Sequence, residues 1–309
     1  RFLLPFVLFG WKIFADSDST SSYDINEAIA YNEREVVKSE KYFFDIPCKR
    51  PDLEAQRWTD RIRKDYSDPE RRCISKGNGT ARVLLIGNSF AYRTFPVLHK
   101  LFNNRYAEFR LFAKSSRMFL NEDPKDSDLN FSELAKEVIE KSNPDIIFVI
   151  EKDMNAAQNK PFSGPIENDP IFKFTQARVD FLSKHSGIVI IDNQFYQPKQ
   201  AVAKIIADRL KKGYTELEEF QDLKVSYKKY HDDSKFGGLR FSAIKGANVV
   251  KNNVGDQLCE PDFCYFFNSK NLHSYYGDEQ SHQTTELIEK LELGYKNIIE
   301  KVINDFGHN

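Results

Sequence analysis

The sequence predicts a three-layer α/β protein, in which a central parallel sheet of about five strands lies between two layers of helices. Four short, apolar and partly β-branched runs recur along the middle of the chain, as expected of strands buried on both faces. Stretches with the length and apolar spacing of helices separate these runs. Strands that alternate with helices form parallel sheets, because each helix returns the chain to the same edge of the sheet.

The predicted elements follow one another in βα order. Strands are expected at residues 82–87, 109–113, 145–150 and 187–192, and a fifth strand near residues 239–243. Helices are expected at residues 91–102, 132–141, 171–184 and 200–212. Pro144 ends the second of these, because the residue before a proline disfavours helical geometry. A last helix begins at Thr284 or Thr285, either of which can cap it, and carries Leu287, Leu291 and Tyr295 at helical spacing.

The segment Gly87-Asn88-Ser89-Phe90 joins the first predicted strand to the first predicted helix. Its glycine lets the backbone turn sharply. The Ser89 hydroxyl is then expected at the carboxyl end of a central strand, beside the free N–H groups of a helix N-terminus. Doubly wound sheets keep their ligand sites at this edge. A catalytic nucleophile fits the position, and so does an ordinary turn with a helix cap.

A loop that carries two acids and a histidine, Asp278-Glu279-Gln280-Ser281-His282, precedes the last helix. An acid and a histidine so close in sequence can meet without help from distant parts of the chain. The carboxylate can then orient the imidazole, and the imidazole can accept a proton from serine. Paired with Ser89, this pattern favours a catalytic site over a solvated polar loop. His273 is a rival base, but the sequence places no acid near it.

These two segments resemble the first and last blocks of the SGNH, or GDSL-type, hydrolases. The chain is more closely similar to the SGNH domains fused behind the membrane domain of acyltransferase-3 proteins, in which Gly-Asn-Ser, paired cysteines and Tyr-x-Asp-x-x-His recur. The similarity covers roughly residues 48–304. It implies a flavodoxin-like SGNH fold with Ser89 as nucleophile, His282 as base and Asp278 as acid.

The chain departs from the family pattern in three places. The family acid stands three residues before the histidine, which is Glu279 by spacing, whereas the preceding Tyr-Gly pair aligns with Asp278. We predict Asp278 and keep Glu279 as the alternative. The second block, whose N–H joins the oxyanion hole, maps to Ser115 and makes it a predicted donor beside the Ser89 N–H. The third block falls on residues 150–153 and lacks the family asparagine.

The N-terminal residues 1–14 are almost wholly apolar but too few to cross a bilayer, which takes about 20 residues. The resemblance favours the end of the last transmembrane helix of a membrane acyltransferase domain, and a docked amphipathic helix and a signal-peptide remnant are the alternatives. We therefore expect three parts. They are the end of a truncated transmembrane helix at 1–15, a polar tether at 16–45 with some helix around residues 25–39, and the SGNH domain at 46–305.

The four cysteines form two pairs, one before the first predicted strand and one before the histidine loop. This even arrangement predicts the disulfides Cys48–Cys73 and Cys259–Cys264 in an oxidising compartment. Glycosylation sequons begin at Asn78 and Asn130 and agree with a lumenal or extracellular location. Zinc is the competing interpretation, but neither pair has the two-residue spacing of a zinc knuckle, and we predict no metal.

The composition narrows the choice of partners. A net charge of −1 over 309 residues gives no field that attracts nucleic acid, and we expect neither a nucleic-acid partner nor a cofactor.

The first functional hypothesis is that the chain is the lumenal or extracellular half of a membrane acyltransferase. Ser89 would accept an acyl group delivered by the membrane domain, and a hydroxyl of a carbohydrate or similar acceptor would take it. Ester hydrolysis is the same chemistry with water as acceptor. A non-catalytic domain that binds a glycan or a partner is the alternative from a different class.

Overall fold

The computed structural model of the protein describes residues 23–41, 50–60, 71–120, 129–193 and 198–307. The predictions for the apolar segment 1–15 and for Cys48 lie outside these ranges. The helices within them are α1 Ile25–Lys41, α2 Leu53–Asp60, α3 Ser89–Phe102, α4 Leu129–Ser142, α5 Pro170–Lys184, α6 Val202–Lys211, α7 Tyr227–Asp233, α8 Lys235–Ala243 and α9 Thr285–Gly307. The strands are β1 Arg71–Lys76, β2 Arg82–Gly87, β3 Glu108–Ala113, β4 Ile146–Ile150, β5 Ile188–Asp192, β6 Lys224–Ser226, β7 Val249–Asn252 and β8 Phe263–Tyr265. Short 3₁₀ helices lie at Met154–Asn159, Ile166–Asn168, Leu217–Leu223 and Gly255–Leu258.

The central sheet contains six strands in the order β1-β3-β2-β4-β5-β7. The strands β3, β2, β4, β5 and β7 run parallel to their neighbours, whereas β1 pairs antiparallel with β3 at the edge. The predicted parallel sheet of about five strands is therefore confirmed, with one antiparallel strand added. Strands β6 and β8 form a separate two-stranded ribbon.

Helices cover both faces of the sheet, which completes the predicted three layers. Along β2, Val83 and Leu85 pack into the core that contains residues of α1, α3, α6 and α9. Leu84 and Ile86 pack into the opposite core, with residues of α2, α4, α5 and α8. This alternation explains the continuous apolar run, because a strand buried on both faces has no position for a polar side chain.

The fifth strand predicted near residues 239–243 is wrong. Those residues belong to α8, which buries Arg240 against Asp169 and packs Phe241 into the core. The fifth parallel strand is β7, only four residues long and flanked by polar positions. A buried arginine with an ion-pair partner breaks the apolar pattern on which the prediction of a helix depends.

Helix α1 falls within the predicted tether. Its residue Ala28 is fully buried and joins the main core, and the helix contacts α6. Helix α1 therefore packs against the main core. Among the described residues, no helix combines the length and the apolar character that crossing a membrane requires.

Candidate active site

The turn that joins strand β2 to helix α3 at Ser89 lies against the neighbouring strand β4. Gly87 ends β2 so close to β4 that a Cβ atom on it would lie 1.8 Å from the carbonyl oxygen of Ile150. No other residue type fits there. The Asn88 side chain accepts the N–H of Phe90 at 3.2 Å and caps the helix. It also accepts the N–H of Lys152 at 3.1 Å and donates to the carbonyl oxygen of the same residue at 3.0 Å. The turn before Ser89 is therefore held from both sides.

The structure brings Ser89, His282 and Asp278 together. The distance between Ser89 Oγ and His282 Nε2 is 3.0 Å, and His282 Nδ1 lies 2.6 Å from Asp278 Oδ2. The second oxygen of Asp278 accepts the backbone N–H groups of Gln280 at 3.0 Å and His282 at 3.1 Å. Of the two predicted acids, Asp278 contacts the imidazole, whereas the side chain of Glu279 is exposed. A continuous hydrogen-bond chain therefore runs from a serine hydroxyl through an imidazole to a carboxylate.

Burial and charge set the ionisation of this chain. Ser89 and His282 are 7% and 3% exposed, so both side chains lie almost completely within the fold. Burial opposes ionisation of Asp278, but the hydrogen bonds that it accepts from His282 outweigh this effect and hold the pKa of Asp278 below its usual value. Burial also lowers the pKa of His282, against the opposing effect of the hydrogen bond that its Nδ1–H donates to Asp278. The imidazole is therefore neutral at physiological pH and can accept a proton.

A family model of the SGNH domain that is fused to AT3 domains matches residues 54–292, which include Ser89, Asp278 and His282. The chain belongs to this family of SGNH domains. The crystal structure of a proposed acylhydrolase from Bacteroides fragilis NCTC 9343 is similar over 81% of this chain and 96% of that one, with 16% identity and a TM-score of 0.35. None of the curated proteins matches the sequence significantly.

Two positively charged side chains lie near the imidazole of His282 in this SGNH domain, and neither was predicted from the sequence. Arg93, one helical turn after Ser89, is buried and donates to the carbonyl oxygen of Gln283. Lys152 donates from Nζ to the carbonyl oxygen of Gln280. Both positive charges lower the pKa of His282 further. Arg93 had a sequence signal, since it is the one charged residue in the first turns of an otherwise apolar helix.

The predicted oxyanion donor Ser115 lies just after β3, close to the Ser89 turn. The N–H of Lys114 donates to the carbonyl oxygen of Gly87 at 3.1 Å, which ties the end of β3 to the end of β2. The Ser115 hydroxyl lies 3.4 Å from the phenol oxygen of Tyr92. Its role as an oxyanion donor stays a prediction.

The third family block, which lacks its asparagine, has a structural role in this chain. The Glu151 carboxylate is buried and accepts the N–H groups of Phe119 at 2.7 Å and Leu120 at 2.8 Å. It therefore fixes the segment that follows Ser115. Asp153 accepts the N–H of Gln158, and burial raises the pKa of Asp153 to about 7.

The described cysteines are all in disulfides. Cys259 and Cys264 are bonded to each other, with Cα atoms 3.9 Å apart, and Cys73 is also disulfide-bonded. Its predicted partner, Cys48, lies outside the described residues. Within the described ranges, no group of three or more His, Cys, Asp and Glu side chains could hold a metal ion.

The expectation that His273 has no nearby acid is wrong. Its Nε2 lies 2.6 Å from Glu27 of α1, and its Nδ1 lies 3.0 Å from Glu286 of α9. One acid is 246 residues away in sequence, and the other is 13 residues further along the chain in the next helix. Both ring nitrogens of His273 are engaged by these acids, whereas the imidazole that contacts Ser89 is that of His282.

Proposed function

We propose that this SGNH domain transfers an acyl group through an acyl-enzyme on Ser89. The observation that carries the proposal is the hydrogen-bond chain from Ser89 through His282 to Asp278. A serine is a weak nucleophile at neutral pH unless a base removes its proton during attack, and a neutral imidazole held by a carboxylate is such a base.

In the first half-reaction, Ser89 Oγ attacks the acyl carbonyl while its proton moves to His282 Nε2. Asp278 holds the other ring nitrogen and stabilises the imidazolium that forms. The Ser89 N–H, in the first turn of α3, would donate to the developing oxyanion, where the helix dipole also favours negative charge. The leaving group then takes the proton from His282. In the second half-reaction an acceptor hydroxyl gives its proton to His282 and attacks the ester. The bond between the acyl group and Ser89 Oγ then breaks, and Ser89 takes the proton back from His282.

Family membership supports an AT3 membrane domain as the source of the acyl group. The cysteines support a lumenal or extracellular site, because disulfides persist in oxidising compartments. A carbohydrate hydroxyl is the proposed acceptor, and water in its place gives an esterase. Asn78, the first residue of a sequon, is exposed, as glycosylation would require.

The fraction of the acyl group that reaches an added sugar, rather than water, distinguishes transfer from hydrolysis. The purified domain is given an activated acetate ester, and the released alcohol, free acetate and acetylated acceptor are measured with and without a panel of methyl glycosides. We expect a burst of one equivalent of alcohol, followed by a slow phase that an acceptor sugar accelerates as acetyl sugar replaces acetate. Acetate formation at a rate that no glycoside changes would identify an esterase, and the absence of both burst and turnover would contradict the proposal.

The pH dependence of kcat/KM reports the free enzyme's His282. Because burial and the charges of Arg93 and Lys152 lower the pKa of His282, activity should rise with pH along a limb whose midpoint lies below the ordinary histidine value of about 6.5. Replacing Lys152 by Met removes one of the positive charges that lower the pKa of His282, and should therefore move this limb to higher pH. A wild-type midpoint at or above 6.5, or a midpoint unchanged in Lys152→Met, would contradict this electrostatic account.

A further inference from the structure

Helix α1 precedes the segment that matches the family model. It nevertheless contacts the chain on both sides of the loop 278–282, which carries Asp278 and His282. Before the loop, Asn32 donates to the carbonyl oxygen of Leu272 at 2.8 Å and accepts the N–H of Ser274 at 3.1 Å. These are long-range bonds, made by a side chain that is fully buried. They hold the strand-like segment that leads to Asp278.

After the loop, the same helix contacts the start of α9. The phenol oxygen of Tyr31 accepts the N–H of Glu286 at 2.9 Å, and Glu35 accepts the hydroxyl of Thr285 at 3.0 Å. The residues Ala28, Tyr31, Asn32, Glu35 and Ser39 recur at helical spacing and are all buried. One face of α1 is therefore complementary to the segment 272–286.

The loop itself also lies against α1. A Cβ atom on Gly277, the residue directly before Asp278, would lie 2.0 Å from Ser39 Oγ and 3.1 Å from the carbonyl oxygen of Glu35. A side chain at this position would therefore have to displace the Ser39 hydroxyl and press against the backbone carbonyl of Glu35. The position of Asp278 is therefore coupled to the position of α1.

His273 makes this contact sensitive to protonation. Its ring stacks on Tyr31, with centroids 3.8 Å apart and planes at 7°. Glu27 and Tyr31 of α1 and Glu286 of α9 are the titratable groups that contact the ring in the described residues. A protonated ring donates to both carboxylates, whereas a neutral ring has one donor and leaves one carboxylate facing a lone pair.

The charges around His273 determine the pH range in which its interaction with Glu27 and Glu286 is strongest. Burial disfavours protonation of His273, but the hydrogen bonds and charges of Glu286 and Glu27 outweigh it and raise the pKa of His273 above its usual value. A raised pKa in the folded protein means that the interaction is complete at low pH and is lost as pH rises through that folded value.

We propose that α1 is a positioning element of this active site, which clamps the Asp278–His282 loop and holds it most firmly when His273 is protonated. Its effect on catalysis rests on the proposed function of Ser89. A displacement of α1 would be transmitted to the imidazole through Gly277 and the bonds on either side of the loop. A shift of about 1 Å in a catalytic group can cost about 100-fold in rate.

The clamp can be tested without activity. Hydrogen exchange with mass spectrometry gives the protection of the backbone amides in residues 272–286, after correction for the intrinsic pH dependence of exchange. In the full chain we expect about tenfold lower protection in His273→Gln than in the wild type at pH 6, and a similar loss in the wild type at pH 9. Glu27→Gln should move the midpoint of this loss to lower pH. The control His185→Gln alters a histidine at the end of α5 and should change nothing in this segment. Equal protection in the wild type and His273→Gln at pH 6, or wild-type protection that does not fall between pH 6 and pH 9, would overturn the proposal.

A steric variant tests the effect on catalysis. Gly277→Ala should slow the labelling of Ser89 by a fluorophosphonate about 10- to 100-fold, and Ser39→Gly in the same chain should restore part of the rate by removing the nearest obstacle. A folded Gly277→Ala variant that labels at the wild-type rate would show that α1 does not position the loop. If the wild type itself is not labelled at Ser89, the proposed function fails, and hydrogen exchange still decides the clamp.

Discussion

Replacing Ser89 by alanine is expected to lower kcat for ester turnover by about 10⁶-fold, as loss of the serine does in other triad enzymes. The substitution removes the nucleophilic oxygen that lies 3.0 Å from His282, so that water must attack the ester directly. It deletes one oxygen from a buried side chain and should leave the fold intact. The measurement is the steady-state rate with an activated acetate ester, together with the thermal unfolding midpoint.

Ser186→Ala is a matched control for that variant, because it deletes a hydroxyl that donates, among the described residues, only to the backbone carbonyls of Leu182 in α5 and Ile188 in β5. Its turnover should stay within a factor of about two of the wild type. If Ser89→Ala keeps more than a few per cent of the wild-type rate while Ser186→Ala is normal, the ester is being cleaved elsewhere. The binding-domain hypothesis would then be the better account of this cleft.

Replacing Asp278 by asparagine should lower kcat by up to about 10⁴-fold, the loss seen when the acid of a serine triad becomes an amide. The amide can donate to His282 Nδ1 and so favour the tautomer in which Nε2 carries the proton and cannot accept another. The backbone N–H groups of Gln280 and His282 can still donate to the amide oxygen, so the loop should keep its shape. The measurement is kcat at a pH above the His282 limb, with circular dichroism as the check on folding.

Glu279→Gln is the matched control, since it makes the same chemical change one residue later on an exposed side chain. We expect its kcat to stay within a factor of about three of the wild type. If Glu279→Gln is inactive while Asp278→Asn is normal, the family spacing is decisive and Glu279 is the acid. If both variants are normal, no acid of this loop assists the histidine.

The parts of the fold that the sequence predicted well are those with one strong physical signal. Strand β2 was predicted with its observed bounds, and the strands β3, β4 and β5 to within a residue, because strands buried on both faces must be continuously apolar. The Ser89 turn and the His282 loop were predicted because their chemistry is local, with an acid and a histidine four residues apart.

The features that the sequence did not predict depend on contacts between distant parts of the chain. Strand β1 is polar and lies at the sheet edge, where one face meets solvent, so no apolar run marks it. Helix α8 buries Arg240, which becomes acceptable only because Asp169, the residue that caps α5, forms an ion pair with it. The acids of His273 come from α1 and α9, and the cation Lys152 reaches the loop from the end of β4. None of these pairings has a signature in local spacing.

If Ser89 is an activated nucleophile, it should react covalently with a fluorophosphonate, and this labelling is the most direct test of the proposed site. The folded domain is treated with a fluorophosphonate probe, digested, and mapped by mass spectrometry, with Ser89→Ala and Asp278→Asn treated in parallel. We expect one adduct, on the peptide that contains Ser89. This adduct should be absent from Ser89→Ala and should form far more slowly in Asp278→Asn. A folded wild-type domain that gains no adduct at Ser89, or labelling that persists in Ser89→Ala, would contradict the proposed site.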